Sequence, residues 1–181
     1  VAVNLPFMIF DYGGWRAPFA FQALRPADVS ANSIWSVLAP SMTAGGPVNR
    51  VSAAACATGI ALVMVSGWRR GRRDGGFPFL PACAATVAVF VALGKVHSPQ
   101  YALWILPFFA LLRIDRVWWQ LFLISDLWLF AQFTAFDHPQ PGLHASAVVL
   151  ADVVLLALAV LAMRSEPALE PLPPDLADLA G

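Results

Sequence analysis

The stretch Val51–Trp68 reads VSAAACATGIALVMVSGW and runs directly into Arg69-Arg70-Gly71-Arg72-Arg73. A spanning helix needs about 20 predominantly apolar residues, within a range of roughly 17–25. This stretch meets that length, carries no charge and ends in a dense basic cluster, as a transmembrane helix does at its cytoplasmic end. Working outward, further apolar segments follow at Phe77–Gly94, Ala102–Leu112, Val117–Phe136 and Ala145–Met163. All but Ala102–Leu112 are long enough to span. The fold expected is therefore all-α, a polytopic transmembrane helix bundle of about five segments over residues 50–164.

Composition agrees with that class. Hydrophobic residues make up 59% of the chain, and 11 basic residues balance 11 acidic ones. A soluble domain of this size carries more charge. The zero net charge and the lack of a basic stripe argue against nucleic acid as a partner. Val1–Phe10 reads like the end of a preceding membrane helix, so the sequence is expected to be the C-terminal part of a longer protein. Its start has neither the basic n-region nor the small-residue cleavage site of a signal peptide.

Charge sets the expected orientation. If the segments alternate, Arg69–Arg73, Arg113, Arg116 and Arg164 share one side, which the positive-inside rule makes cytoplasmic. Arg16, Arg25, Arg50 and Lys95 then share the other. Trp68, Trp118 and Trp119 fall at the inner boundary, where aromatic belts form. The Arg69–Arg73 cluster is a topology signal first, with attraction of anionic membrane lipid as the alternative. Ala53, Ala57, Ala84, Ala88 and Ala92 are small residues spaced for close helix packing. Cys56 and Cys83 lie in successive antiparallel segments at different depths, too far apart for a disulfide. No Cys-x-x-Cys or Cys/His cluster calls for a metal, and no cofactor motif is present.

The flanks differ in character. Residues 1–49 mix aromatics with polar residues and hold no span-length segment. They are expected to finish a membrane helix and then lie on the extracytoplasmic interface, with Phe19, Phe21 and Leu24 on one amphipathic turn and Ser41–Pro47 as a loop. Residues 165–181 are proline-rich and acidic, and are expected to be a disordered cytoplasmic tail.

The polar run Lys95-Val96-His97-Ser98-Pro99-Gln100-Tyr101 lies between two apolar segments and contains the only lysine of the chain. Polar groups there are costly unless they face water, a partner or a substrate. Ser98-Pro99 reads as a helix start, with Ser as N-cap and Pro at the first helical position. A helix from Pro99 to Leu112 spans about 21 Å, against about 30 Å of hydrocarbon. With Arg113 at the inner surface, the run sinks below the outer one, where irregular backbone must be buried in protein or line a wet cavity. A free helix N-terminus, Lys95 and His97 together suit a phosphate. The alternative is an interfacial loop whose lysine snorkels to water. Asp126 and Asp152 lie mid-segment and read either as pathway groups or as carboxylates paired with Ser125, Trp or Gln side chains. His138 and His144 flank a proline-rich outer loop and give only a weak case for a metal.

Two groups of residues carry a family resemblance. The first is Asn4-Leu5-Pro6-Phe7, Gly14-Trp15, Phe19-x-Phe21, Arg25, Asp28, Ser33 and Trp35. The second is Lys95-x-x-Ser98-Pro99-Gln100-Tyr101-x-Leu103-Trp104-x-Leu106-Pro107. In this order, with a membrane helix pair between, they resemble the C-terminal part of glycosyltransferase family 87, actinobacterial membrane mannosyltransferases of the C-type fold. The resemblance spans about Asn4 to Pro107.

That resemblance implies a polyprenyl-phosphate sugar as donor, typically mannose, and a glycolipid or polysaccharide of the cell envelope as acceptor. Transfer would take place on the extracytoplasmic face of the cell membrane, without metal or cofactor. Lys95, His97, Ser98, Gln100 and Tyr101 would face the donor phosphate, and Arg16, Arg25 and Asp28 would be substrate contacts. The catalytic acid of such enzymes lies in an early outer loop, so the catalytic residue is expected outside this sequence and the fragment alone is expected to be inactive. A lipid-linked sugar transporter or flippase, and a non-catalytic membrane subunit of an envelope assembly, are the alternatives.

Overall fold

The computed structural model describes residues 4–27, 31–39, 46–135 and 140–168. Among them every regular element is helical: α1 (Leu5–Phe10), α2 (Tyr12–Leu24), α3 (Ile34–Leu38), α4 (Gly46–Asp74), α5 (Phe79–Leu93), α6 (Ala102–Leu111), α7 (Arg116–Ala135) and α8 (Pro141–Arg164). A 3-10 turn, Pro99–Tyr101, leads into α6. Helices α4 and α8 are each long and apolar enough to cross a membrane, whereas α5 and α6 are shorter apolar helices.

Helix α8 packs against both α5 and α7, and α4 packs against α5 with only slight contact to α8. The main core is built mostly from small and branched residues of α5 and α8, including Ala85, Ala88, Ala92, Leu155 and Leu158. A second cluster, Leu129, Ala147, Val148 and Ala151, joins α7 to α8 and receives Ile34 and Val37 from α3. Small residues let these backbones approach closely.

The alanine pattern is half corrected. Ala84, Ala88 and Ala92 are buried on α5, but Ala53 and Ala57 face outward. The packed face of α4 is instead Val48, Ser52, Gly59, Val63 and Gly67. Positions 52, 59, 63 and 67 share one face at about 3.6 residues per turn. Alanines at regular spacing permit close approach but do not choose the face. On α4 the glycines do: a Cβ at Gly59 would stand 2.5 Å from Val89 Cγ1.

Other boundaries also move. Gly46 and Pro47, expected in a loop, open α4, where proline is tolerated because a first-turn N–H has no partner to lose. The basic cluster continues the α4 helix to Asp74 rather than following it. Cys56 and Cys83 are both free thiols.

One end of the bundle gathers the arginines that close α4 and α8. The Arg70 guanidinium donates to the carbonyls of Met163 (2.8 Å) and Ser165 (2.9 Å) at the end of α8 and pairs with Asp74 at 3.0 Å. The Arg72 guanidinium sits 5.1 Å above the Trp68 ring. The expected disordered tail begins ordered. The Arg113 N–H donates to Glu166 O (3.0 Å) and the Ala168 N–H to Leu111 O (2.8 Å), holding Ser165–Ala168 against the α6–α7 turn. Residues 169–181 lie outside the described residues.

The bundle exposes many large apolar side chains and encloses a few polar ones within its apolar core. Leu62, Val65, Ile124, Leu127, Phe130, Val153 and Val160 are exposed, while Ser52, Ser125, Gln132, His144 and Asp152 are buried.

Candidate functional site

At the end opposite the arginines, α5 stops at Leu93. Gly94 takes an extended conformation, and a Cβ there would lie 2.8 Å from Phe90 O. The terminal carbonyls of a helix need donors from elsewhere. The indole N–H of Trp35, on α3, supplies one, donating to Leu93 O at 2.9 Å. So segment 31–39 lies across the end of α5 and fixes where the hinge 94–98 begins.

Lys95 turns toward α2. Its ammonium donates to the carbonyls of Gln22 and Ala23, in the last turn of that helix. Asn49, at the start of α4, donates to Ala23 O as well (2.7 Å). A cation at a helix C-terminus is favourable, because the helix dipole places partial negative charge there. Burial, and after it the positive charge of Arg25, hold the Lys95 ammonium below its ordinary pKa. Arg25 is thus brought within electrostatic range of Lys95. Two of the three ammonium donors are engaged, which leaves one for a further acceptor.

His97 turns the other way, into the bundle. Its backbone N–H donates to Ala31 O (2.7 Å), and its ring Nδ1 stands 3.5 Å from Asp152 Oδ1 on α8. His97 and Asp152 are each only 4% exposed. Asp126, on α7, lies within electrostatic range of the same imidazole. Asp152 also faces the backbone N–H of Ile34, at the start of α3. One hinge side chain therefore lies beside a carboxylate of α8 and within electrostatic range of one on α7. Ser36, on α3, reaches His144 of α8, with Oγ and Nε2 3.1 Å apart.

The remaining predicted residues divide. Ser98 does not cap α6 with its side chain. Its carbonyl accepts the Tyr101 N–H (2.8 Å) in the 3-10 turn, and Tyr101 takes the N-cap position without a side-chain bond. The Tyr101 ring stacks on Trp104 with centroids 4.5 Å apart. Gln100 is exposed, as is Arg16 on α2. Asp28 and His138 lie outside the described residues.

No family model, curated protein or solved structure matches this chain.

The geometry therefore has two parts. At the hinge, the Lys95 ammonium sits on the C-terminal carbonyls of α2, with Arg25 within electrostatic range. Inside, His97, Asp126 and Asp152 form a titratable group. No cluster of three or more histidine, cysteine, aspartate or glutamate side chains suited to a metal occurs among the described residues. Sequence reasoning singled out Lys95, His97, Asp126 and Asp152, but it placed His97 with Lys95 and read the aspartates as pathway groups or as partners of Ser125, Trp or Gln side chains, not of His97. Trp35, Ser36 and His144 were not recognised as the fixtures that hold the hinge. The available signal was an indole and a hydroxyl in a segment too polar to span, next to an α5 that ends without a capping side chain of its own.

Proposed function

We propose that this chain is part of a multi-pass membrane glycosyltransferase. It moves a sugar, mannose in the first instance, from a polyprenyl-phosphate donor to a cell-envelope glycolipid or polysaccharide on the extracytoplasmic side. The observation that carries the reading is the placement of the Lys95 ammonium at the hinge, on the last carbonyls of α2 and at the end of the bundle away from the Arg69–Arg73 cluster. The ammonium keeps one donor for an anionic acceptor.

Depth supports the same reading. The 3-10 turn and α6 together cover about 21 Å, less than the hydrocarbon thickness of about 30 Å. With the arginine end at the cytoplasmic surface, the hinge lies below the outer surface, within reach of a lipid-borne phosphate. The exposed apolar side chains of α4, α7 and α8 would face lipid. In the transfer step the acceptor oxygen bonds to the anomeric carbon as the sugar–phosphate bond breaks. The phosphate leaves with that electron pair. Lys95 and Arg25 offset its charge, which is where such a site gains most. The acceptor proton passes to a base expected in another outer loop.

The test is transfer from polyprenyl-phosphate mannose by the reconstituted full-length protein, with Lys95→Ala alongside. Glycosidic product that falls with Lys95→Ala supports the reading; turnover and donor affinity unchanged in the variant overturn the role of Lys95. The His97, Asp126 and Asp152 group favours a second reading, a lipid-linked sugar transporter with titratable pathway residues. Translocation without product would select it.

A further inference from the structure

Helices α4 and α8 both pack on α5 but scarcely touch one another. They leave a cleft of about 520 Å³ over α5, walled by Leu62, Val89, Leu156 and Val160, with Ser66 and Arg164 at its arginine end. There it runs into a second, basic cavity that shares Ser66, Met163 and Arg164 and adds Arg69 and Arg73. Arg70 and Asp74 also border that cavity, but Arg70 is bonded to Asp74 and to the ends of α8. The wall is aliphatic for about two turns of α8, about 12 Å from Leu156 to Arg164. Then it becomes cationic.

We propose that this cleft is a binding site for an anionic phospholipid of the surrounding leaflet. One acyl chain lies along α5 between α4 and α8, and the headgroup phosphate meets Arg69, Arg73 and Arg164. The argument is complementarity in order along one axis: an apolar trough suits a chain, and a basic mouth at the membrane boundary suits the phosphate attached to it. Basic side chains near an anionic leaflet each contribute on the order of 1 kcal/mol to lipid attraction. A trough that continues from the basic mouth turns general attraction into a site with a defined place for the tail. Ser66 supplies a hydroxyl where chain gives way to headgroup. The proposal needs only that the bundle sits in a membrane; it does not depend on the sugar-transfer reading, and it concerns the opposite end of the molecule from Lys95.

The experiment is native mass spectrometry of the full chain, released from micelles doped equally with phosphatidylglycerol and phosphatidylcholine. Three forms are compared: wild type, the double variant Arg73→Gln/Arg164→Gln, and Val160→Trp. Val160 is on an exposed face, so the last variant fills the trough while leaving both the core and the charges in place. Preferential retention of phosphatidylglycerol is expected for wild type, about thirtyfold weaker retention in the double variant, and a clear loss in Val160→Trp. Equal retention of the two lipids by wild type overturns the proposal even if neither variant folds. Retention unaffected by Val160→Trp also overturns it, since it would mean surface attraction without a site. Displacement of phosphatidylglycerol by equimolar polyprenyl phosphate would assign the trough to a different lipid and overturn it too.

Discussion

His97 Nδ1 stands 3.5 Å from Asp152 Oδ1, joining the hinge after α5 to the middle of α8 inside the bundle. Neither Asp152 oxygen has a hydrogen-bond donor at bonding distance among the described residues. The pair is therefore held more by electrostatics than by a short bond. Its value to the fold comes from what happens when one member is removed. A buried group left without its partner loses the interaction and keeps its desolvation cost. Asp126 adds a second carboxylate within electrostatic range on the α7 side.

Removing the imidazole alone should therefore cost more than removing both partners. His97→Ala is expected to destabilise the protein by about 3 kcal/mol, and Asp152→Leu combined with His97→Leu by clearly less. A double-mutant cycle on thermal unfolding in detergent measures the difference as a coupling energy. Additive single effects would mean the two residues do not act as a pair. Hydrogen exchange at the His97 amide, which donates to Ala31 O, should quicken in His97→Ala if the ring anchors the hinge.

Lys95 makes opposite predictions for stability and for ligand affinity, and pH separates them. Burial first, and Arg25 second, lower its pKa in the folded protein. Between that lowered value and the ordinary lysine value the unfolded chain holds more protons than the folded one, so stability rises with pH across the window. Phosphate affinity must do the reverse, since the ammonium is lost as pH rises through the lowered pKa. Donor binding should thus weaken at a lower pH than an unperturbed lysine would allow, while thermal stability improves over the same interval. Lys95→Arg should remove both slopes, because arginine stays charged. Lys95→Ala should weaken donor binding about tenfold or more, the range for a hydrogen bond to a charged group. Titration calorimetry and thermal melts across alkaline pH would read both trends.

Much of the helical frame was legible because its cause is local. Apolar length marks α4 and α8, Pro141 opens α8, and the arginines mark one end. The contacts that define the site were not legible, because their causes are not local. Nothing about His97 in sequence says whether it faces outward beside Lys95 or inward to Asp152. That choice depends on how α3 covers the end of α5, through Trp35 and Leu93 some 58 positions apart. Likewise the face of α4 that packs is decided by Val89 on another helix, so regular alanines at 53 and 57 misled. Ser98-Pro99 was read correctly as a helix start, but the chain enters through a 3-10 turn. The Ser98 carbonyl closes that turn by accepting the Tyr101 N–H, and Tyr101, not Ser98, holds the N-cap position of α6.

Trp35 should be worth more than its contact area suggests. Its indole donates to the last carbonyl of α5, at the point where the chain leaves the helix. Trp35→Phe keeps most of the aromatic surface but removes that donor, which should cost about 1 kcal/mol. The local effect should exceed the global one: faster amide exchange is expected around Gly94 and His97 than in the middle of α8. Exchange rising evenly through all helices would instead show that Trp35 acts only by packing.

Gly59 fixes how close α4 comes to α5. A Cβ there would lie 2.5 Å from Val89 Cγ1 and 3.2 Å from Leu93 Cδ1. Val89 is β-branched and nearly confined to one rotamer in a helix, so it cannot swing clear. Gly59→Ala gains up to about 1 kcal/mol of helix propensity, but overpacking of this kind costs about 1–3 kcal/mol. Steric cost should win, and Gly59→Ala should lower the melting temperature. Val89→Ala opens the space a methyl group needs. In that background the same Gly59→Ala change should become neutral or stabilising, since only the propensity gain remains. A Gly59→Ala penalty of equal size in both backgrounds would show that Val89 is not what sets the α4–α5 distance.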